Sequence, residues 1–204
     1  MPFNSGTFRQ SLSRGGARPN MFEIKIIKSH TMDQSVFDST VGDSITMLAN
    51  SGDMPGSIIG TIPVPYFGRF INVAGDRMFE DWSCGIYCDE DFKTRNAFEK
   101  WNNALAFLNY ETNKEHGKNA ETIDKYVCTV QISHYTKTGV VDKIYTLHNA
   151  FPYVVSPVQL SWQANDQIMI FEVTWKYDYF TTNFSNFTGS GITENDVKAS
   201  SNEQ

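Results

Sequence analysis

The 204-residue chain has no apolar run approaching the ~18 residues that a bilayer-spanning helix needs, which excludes a transmembrane helix. Its opening, Met1-Pro2-Phe3-Asn4-Ser5-Gly6, has no apolar core of the kind a secretory leader carries, so cytoplasmic synthesis is expected. Cysteine is scarce: Cys84, Cys88 and Cys128 are too few, and odd in number, for a disulfide framework. Cys84 and Cys88, four apart in an expected strand, read as a buried thiol pair. His30, His116, His134 and His148 are scattered and show no metal-ligand spacing, so no metal is expected. Catalytic signatures are also missing. There is no Gly-x-Ser-x-Gly elbow, phosphate-binding loop, dinucleotide fingerprint or zincin helix, and neither an enzyme nor a cofactor is expected. Cys128 and His134, six apart in one strand, would lie about 20 Å apart at ~3.3 Å per residue, too far for a nucleophile and its base. Asp89-Glu90-Asp91 reads as helix-start electrostatics rather than an acid–base cluster.

What the chain does have is apolar and aromatic mass. It is 40% hydrophobic and 14% aromatic, enough to fold, and the aromatic and β-branched content leans towards sheet. Net charge is −6, unevenly spread: residues 1–28 carry +4, residues 180–204 carry −2, and the body between them carries −8. So acidic a body is a poor grip for a phosphate backbone, because nucleic-acid affinity comes mainly from Lys and Arg.

Three stretches are distinguished along the chain. Residues 1–18, rich in Ser, Gly, Arg and Asn, read as a flexible basic arm. Residues 19–179 form the domain, and residues 180–204 read as a polar, disordered or partner-ordered tail. Within the domain, Met21 to Lys28 alternates as a strand. Residues 29–60 look polar and irregular, with a short strand near Ile45 to Ala49. Strands at Ser57 to Pro63 and Arg69 to Val73 are followed by a turn at Ala74-Gly75-Asp76-Arg77, and Met78 to Cys88 reads as a further strand. Phe92 to Asn109 changes to helical period, with Phe98, Trp101, Leu105 and Leu108 on one face and pairs expected between Asp91 and Arg95 and between Arg95 and Glu99. Strands resume at Tyr126 to Tyr135, Val140 to Leu147, Val158 to Trp162 and Gln167 to Tyr179. The fold expected is α+β and mainly β, an antiparallel barrel or sandwich flanked by one helix.

The run Ile71-Asn72-Val73-Ala74-Gly75-Asp76-Arg77-Met78-Phe79-Glu80-Asp81-Trp82, with Ala17-Arg18-Pro19-Asn20-Met21-Phe22 upstream, resembles the tail tube proteins of T-even-like contractile-tailed bacteriophages. Gln159-Leu160-Ser161-Trp162 and Ile170-Phe171-Glu172-Val173-Thr174 resemble the closing strands of that family. The likeness spans about Ala17 to Tyr179. Residues 1–16, the long polar loop and the tail depart from it.

The resemblance implies a structural virion protein: hexameric rings with a shared inner β-barrel, stacked into a tube within a contractile sheath, with baseplate and tape-measure proteins as further partners. It also implies transient passage of DNA without specific binding, no membrane insertion, and residence in the virion. On this reading an acidic lumen repels phosphates, with Asp124, Asp142 and Glu172 as candidates; ordinary outward charges are the alternative. Subunit contacts are expected at Asn72, Gly75, Asp76 and Arg77, where Gly75 supplies a positive φ or a close backbone approach; an intrachain turn with a local ion pair is the alternative. Asp53, Met54, Pro55 and Gly56, at the tip of the long loop, are the ring-stacking candidates, against a merely solvated loop. Rival readings are the tube of a related injection system, a baseplate tube initiator and, from another class, a small ligand-binding barrel or thiol enzyme.

Overall fold

The computed structural model describes residues 4–12, 15–29, 32, 37–106 and 126–183. In chain order they form α1 (Ser5–Ser11), β1 (Phe22–Lys28), α2 (Ser39–Leu48), β2 (Ala49–Gly52), β3 (Ser57–Tyr66), β4 (Arg69–Phe79) and β5 (Trp82–Tyr87). Then follow α3 (Lys93–Ala106), β6 (Cys128–Tyr135), β7 (Val141–Val155), β8 (Ile170–Lys176) and β9 (Tyr179–Asn183). The mainly β, antiparallel class is as expected, but the described residues hold three helices rather than one.

Seven strands make one sheet in the order β1-β6-β7-β8-β5-β2, with β9 also on β7, and every pairing is antiparallel. Its two ends meet. A Cβ on Gly52 of β2 would stand 2.8 Å from Ile24 Cδ1 of β1, so the two end strands lie within side-chain reach of each other. Strand alternation selects the inner face: Phe171, Val173 and Trp175 of β8 lie opposite Ile86, Cys84 and Trp82 of β5, and all six are buried. Helix α3 lays Phe98 and Trp101 on this face, and Trp101 meets Trp175 edge-on at 5.8 Å. Each such fully buried side chain contributes about 1.5–3 kcal/mol.

Helix α2 replaces the strand expected near Ile45. Asp38 caps it through the Thr40 N–H at 3.1 Å, and Val41, Ile45 and Leu48 recur at helical spacing, with Ile45 fully buried. The Ser44 and Thr46 hydroxyls donate back to the carbonyls four residues earlier, which disguises a helix as polar loop in the sequence.

Helix α3 begins on Asp89, not on a pair between Asp91 and Arg95. The Asp89 carboxylate accepts the Lys93 and Thr94 backbone N–H groups and the Thr94 hydroxyl, at 3.0, 3.1 and 2.6 Å. Asp91 pairs with Lys93, and the expected Arg95–Glu99 pair is present at 2.8 Å.

Three further boundaries differ. The arm contains the exposed helix α1, capped by Asn4. Residues 158–162 form no strand. The tail's first residues build β9, because Phe180 is opposite Leu147 and packs its ring on Tyr145.

Candidate functional site

Strands β3 and β4 form a separate two-stranded sheet whose only strand partners among the described residues are each other. The tip is Phe67-Gly68, both at positive φ (43° and 78°), the conformation a tight two-residue hairpin turn requires. The sequence instead suggested a turn at Ala74 to Arg77. The break it misread is a bulge: Ile59 pairs with Arg77 and Thr61 with Ala74, leaving Gly75 and Asp76 opposite Gly60. Of the two roles considered for Gly75, the structure supports close approach. A Cβ there would lie 3.2 Å from the Gly60 carbonyl oxygen and 3.3 Å from Ile62 Cγ1, and its φ is not positive.

Beyond the bulge one face carries Ile62, Val64 and Tyr66 against Val73, Ile71 and Arg69; the other carries Pro63 and Pro65 against Asn72 and Phe70. These apolar side chains are exposed, Phe70 at 72% and Phe67 at 90%. A lone two-stranded hairpin is marginal in water, and exposed apolar patches of this kind mark candidate contact surfaces.

The hairpin's two edges are unequal. With a two-residue tip, Tyr66 and Arg69 form the closing hydrogen-bonded pair, and alternation turns the backbone nitrogens of residues 63 and 65 outward. Both are prolines, so β3 offers no N–H there. On β4 the same positions are Phe70 and Asn72, which keep theirs. The usable edge is β4.

At its base the hairpin is tied to the main sheet. Arg77 donates through Nε and Nη2 to the Ser57 hydroxyl at 3.1 and 3.0 Å and lies over the Phe79 and Phe180 rings. The alternative considered for them, a local Asp76–Arg77 ion pair, is not formed among the described residues: Arg77 is committed to Ser57, and Asp76 is exposed. Phe79 also packs against Tyr177, whose hydroxyl is buried without a partner among the described residues. Burial, reinforced by Asp81 and Glu80, raises that hydroxyl's pKa.

The other site candidates fall as follows. Asp53 to Gly56 is no loop tip but the linker into β3. The Trp82 indole donates to the Asp53 carbonyl at 2.6 Å, Pro55 is buried, and Met54 is exposed. Asp142 and Glu172 both stand on the sheet face turned away from the core, near opposite ends of β7. Lys25 shares that outward alternation, so the face is mixed in sign. Asp124 lies outside the described residues.

The proposed thiol chemistry finds no support in the geometry. Burial pushes the Cys84 thiol up to about 12 and raises that of Cys128 as well, while His134 Nε2 is hydrogen-bonded to the Arg18 carbonyl at 2.9 Å. Cys84 is buried as expected but Cys88 is only half-buried, so they are not a buried pair. Among the described residues no three of His, Cys, Asp and Glu are grouped to hold a metal ion.

Sequence reading missed Phe67, Phe70, Ile62 and Val64 as exposed assembly candidates. The Tyr-Phe-Gly-Arg tip between two alternating apolar runs was the available signal.

A family profile described as phage tail tube protein matches residues 17–183. The tail tube protein gp19 of Enterobacteria phage T4 is 33% identical over 178 residues, 87% of this chain and 94% of gp19. A chain in the cryo-EM structure of the anti-feeding prophage baseplate superposes with TM-score 0.57 at 9% identity, covering 82% of this chain and 95% of that one. A chain of the extended sheath–tube complex of the extracellular contractile injection system PVC does so with TM-score 0.54 at 13% identity, over 89% and 98%.

Proposed function

This chain belongs to the phage tail tube protein family, and from that premise we propose that it polymerises as stacked hexameric rings into the inner tube of a contractile tail. The tube is the conduit for DNA, and the protein is structural rather than catalytic, with no cofactor or metal. Its place is the virion, inside a sheath and between baseplate and tape-measure partners.

The observation that carries this reading is the exposed β3–β4 hairpin. Among the described residues of a single copy its apolar side chains are exposed and its β4 edge has no strand partner beyond β3. A neighbouring copy in the ring covers the β4 edge and the apolar faces below the Phe67-Gly68 tip by adding a strand to the sheet. In this arrangement Asn72 lies on the pairing edge and the Gly60–Gly75 bulge sets the hairpin's bend. Asp76 is the charge available to a neighbour, and Arg77 holds the base. Asp53 to Gly56, where the hairpin leaves the body, is part of the stacking face. Asp142 and Glu172, with Asp124, are the lumen carboxylates, screening the wall against phosphate contacts.

Negative-stain electron microscopy of the purified chain over a concentration series tests the reading. Rings or hollow tubes of one diameter are expected, and deletion of residues 58–78 should leave a folded monomer that forms neither. Monomers of the intact chain at every concentration and with a baseplate template would overturn it.

A further inference from the structure

Three of the four tryptophans are buried with their indole N–H groups placed. Trp82 donates to the Asp53 carbonyl, Trp101 to that of Tyr126 and Trp175 to the Cys84 sulfur. The fourth, Trp162, is completely exposed, at 102% of its reference area. It is presented on a built turn: the Gln163 N–H meets the Ser161 hydroxyl at 3.2 Å, and the Ala164 N–H meets the Ser161 carbonyl at 3.2 Å. Leu160 and Ile168 flank it, 82% and 69% exposed, and residues 156–169 contain a single charged side chain, Asp166.

The segments that carry this turn and the hairpin leave the body at opposite ends. Strands β5 and β8 run antiparallel, with Trp82 against Trp175 at one end and Tyr87 against Ile170 at the other. The hairpin enters the body through Phe79, beside the Trp82 end; the Trp162 segment leaves it through Ile170, at the Tyr87 end. The hairpin's β3 has ten residues, about 30 Å at ~3.3 Å per residue, so its tip stands clear of the body. At that tip Phe67, a bulky residue, is held at positive φ and almost fully exposed.

We propose that the Trp162 turn of one copy receives the Phe67 tip of a copy in the adjacent ring. The inference rests on the stacked-ring reading above and names the residues that join ring to ring. Both patches are aromatic and poor in charge, the composition of interface centres. Because they are unlike and their segments leave the body at opposite ends, their contact is head-to-tail and repeats without closing, as a growing tube requires. A contact of Trp162 with its own counterpart would close after two copies.

The test uses the full-length chain. Trp162→Ala and Phe67→Asn should each retain the wild-type melting temperature and hexameric rings in native mass spectrometry. Each should raise the concentration needed for tube growth about tenfold or more. In a Cys88→Ser background, mild oxidation of Arg69→Cys mixed with Gln163→Cys should yield a covalent dimer that neither yields alone. Tubes at unchanged concentration, loss of rings together with tubes, or no covalent dimer while wild type forms tubes would overturn the pairing and leave the assembly reading standing. A wild-type chain giving neither rings nor tubes would instead bring down the assembly reading, and this pairing with it.

Discussion

The Arg77 guanidinium lies over the ring of Phe180, 5.7 Å from its centroid, and so joins the base of the exposed hairpin to the last strand of the main sheet. Two residues far apart in the chain thereby meet at the base of the hairpin. Phe180 is held between Arg77, Phe79 and Tyr145, which carries the sheet past Tyr179 into β9.

Replacing Arg77 by alanine removes a cation from two rings and two hydrogen bonds, all at the surface. The unassembled chain should lose about 1 kcal/mol or less. The larger effect falls on the hairpin, whose backbone amides should exchange faster while tube yield drops. Arg77→Lys keeps the charge but not the fork that spans Ser57 and the rings, so it should rescue only part. Hydrogen exchange by mass spectrometry, alongside thermal melting, separates the two effects. Equal exchange in the hairpin of wild type and Arg77→Ala would contradict this role.

A valine at Gly75 places atoms against the Gly60 backbone, where no flexible side chain can yield. The bulge should open at a cost of about 1–3 kcal/mol, confined to the hairpin. Circular dichroism should therefore show a nearly unchanged main transition, while electron microscopy shows no tubes. Normal tubes from Gly75→Val would mean the close approach is dispensable.

Asp89 ties acid stability to helix α3. Burial alone would raise its carboxyl pKa, but hydrogen bonds from the Thr94 hydroxyl and from the Thr94 and Lys93 backbones outweigh it and hold the value below the ordinary 3.8. A depressed folded value means the contribution is complete above that ordinary value and is lost as pH falls through the folded one. Asp89→Ala should cost about 1 kcal/mol at neutral pH, and its deficit relative to wild type should shrink in strong acid. Denaturant melts at pH 7 and pH 2.5 supply the comparison; a deficit independent of pH would rule out the cap as its source.

The three thiols should react in order of burial. Cys84 and Cys128 are enclosed with raised pKa values and should resist a thiol reagent at pH 8 until the chain unfolds. Cys88, half-exposed, should be modified first, though slowly, because burial and the neighbouring Asp89 raise its pKa too. Cys128→Ser puts a hydroxyl into the core and should destabilise by about 1–3 kcal/mol. It should not abolish tube growth below the melting temperature. Fast labelling of three thiols in the native chain would show the core to be open.

Much was legible in advance where one element's own periodicity suffices. Phe98, Trp101 and Leu105 announced α3, and the alternation of Phe22, Ile24 and Ile26 announced β1, because a helix or a half-buried strand writes its buried face directly into the chain. The run from Ile71 to Trp82 pointed to the family through residue identity alone. Asn72, Gly75, Asp76 and Arg77 read as a turn, since glycine beside aspartate is common turn chemistry, whereas they lie on one strand at or beside a bulge.

Tertiary structure decided what depends on partners distant in the chain. Helix α2 exists because Ile45 and Phe37 find the core, overriding a polar sequence that promised a loop. The bulge at Gly75 is visible only opposite Gly60, and the prolines of β3 disable an edge only once β4 has taken the other side. Phe180 leaves the expected tail for a strand because Leu147 and Tyr145 await it on β7. Class, main helix and family are thus written in local period and residue identity. Which strand edge is open, which end of the body carries the hairpin and which tryptophan stays in water were decided by long-range pairing, whose energy no short segment contains.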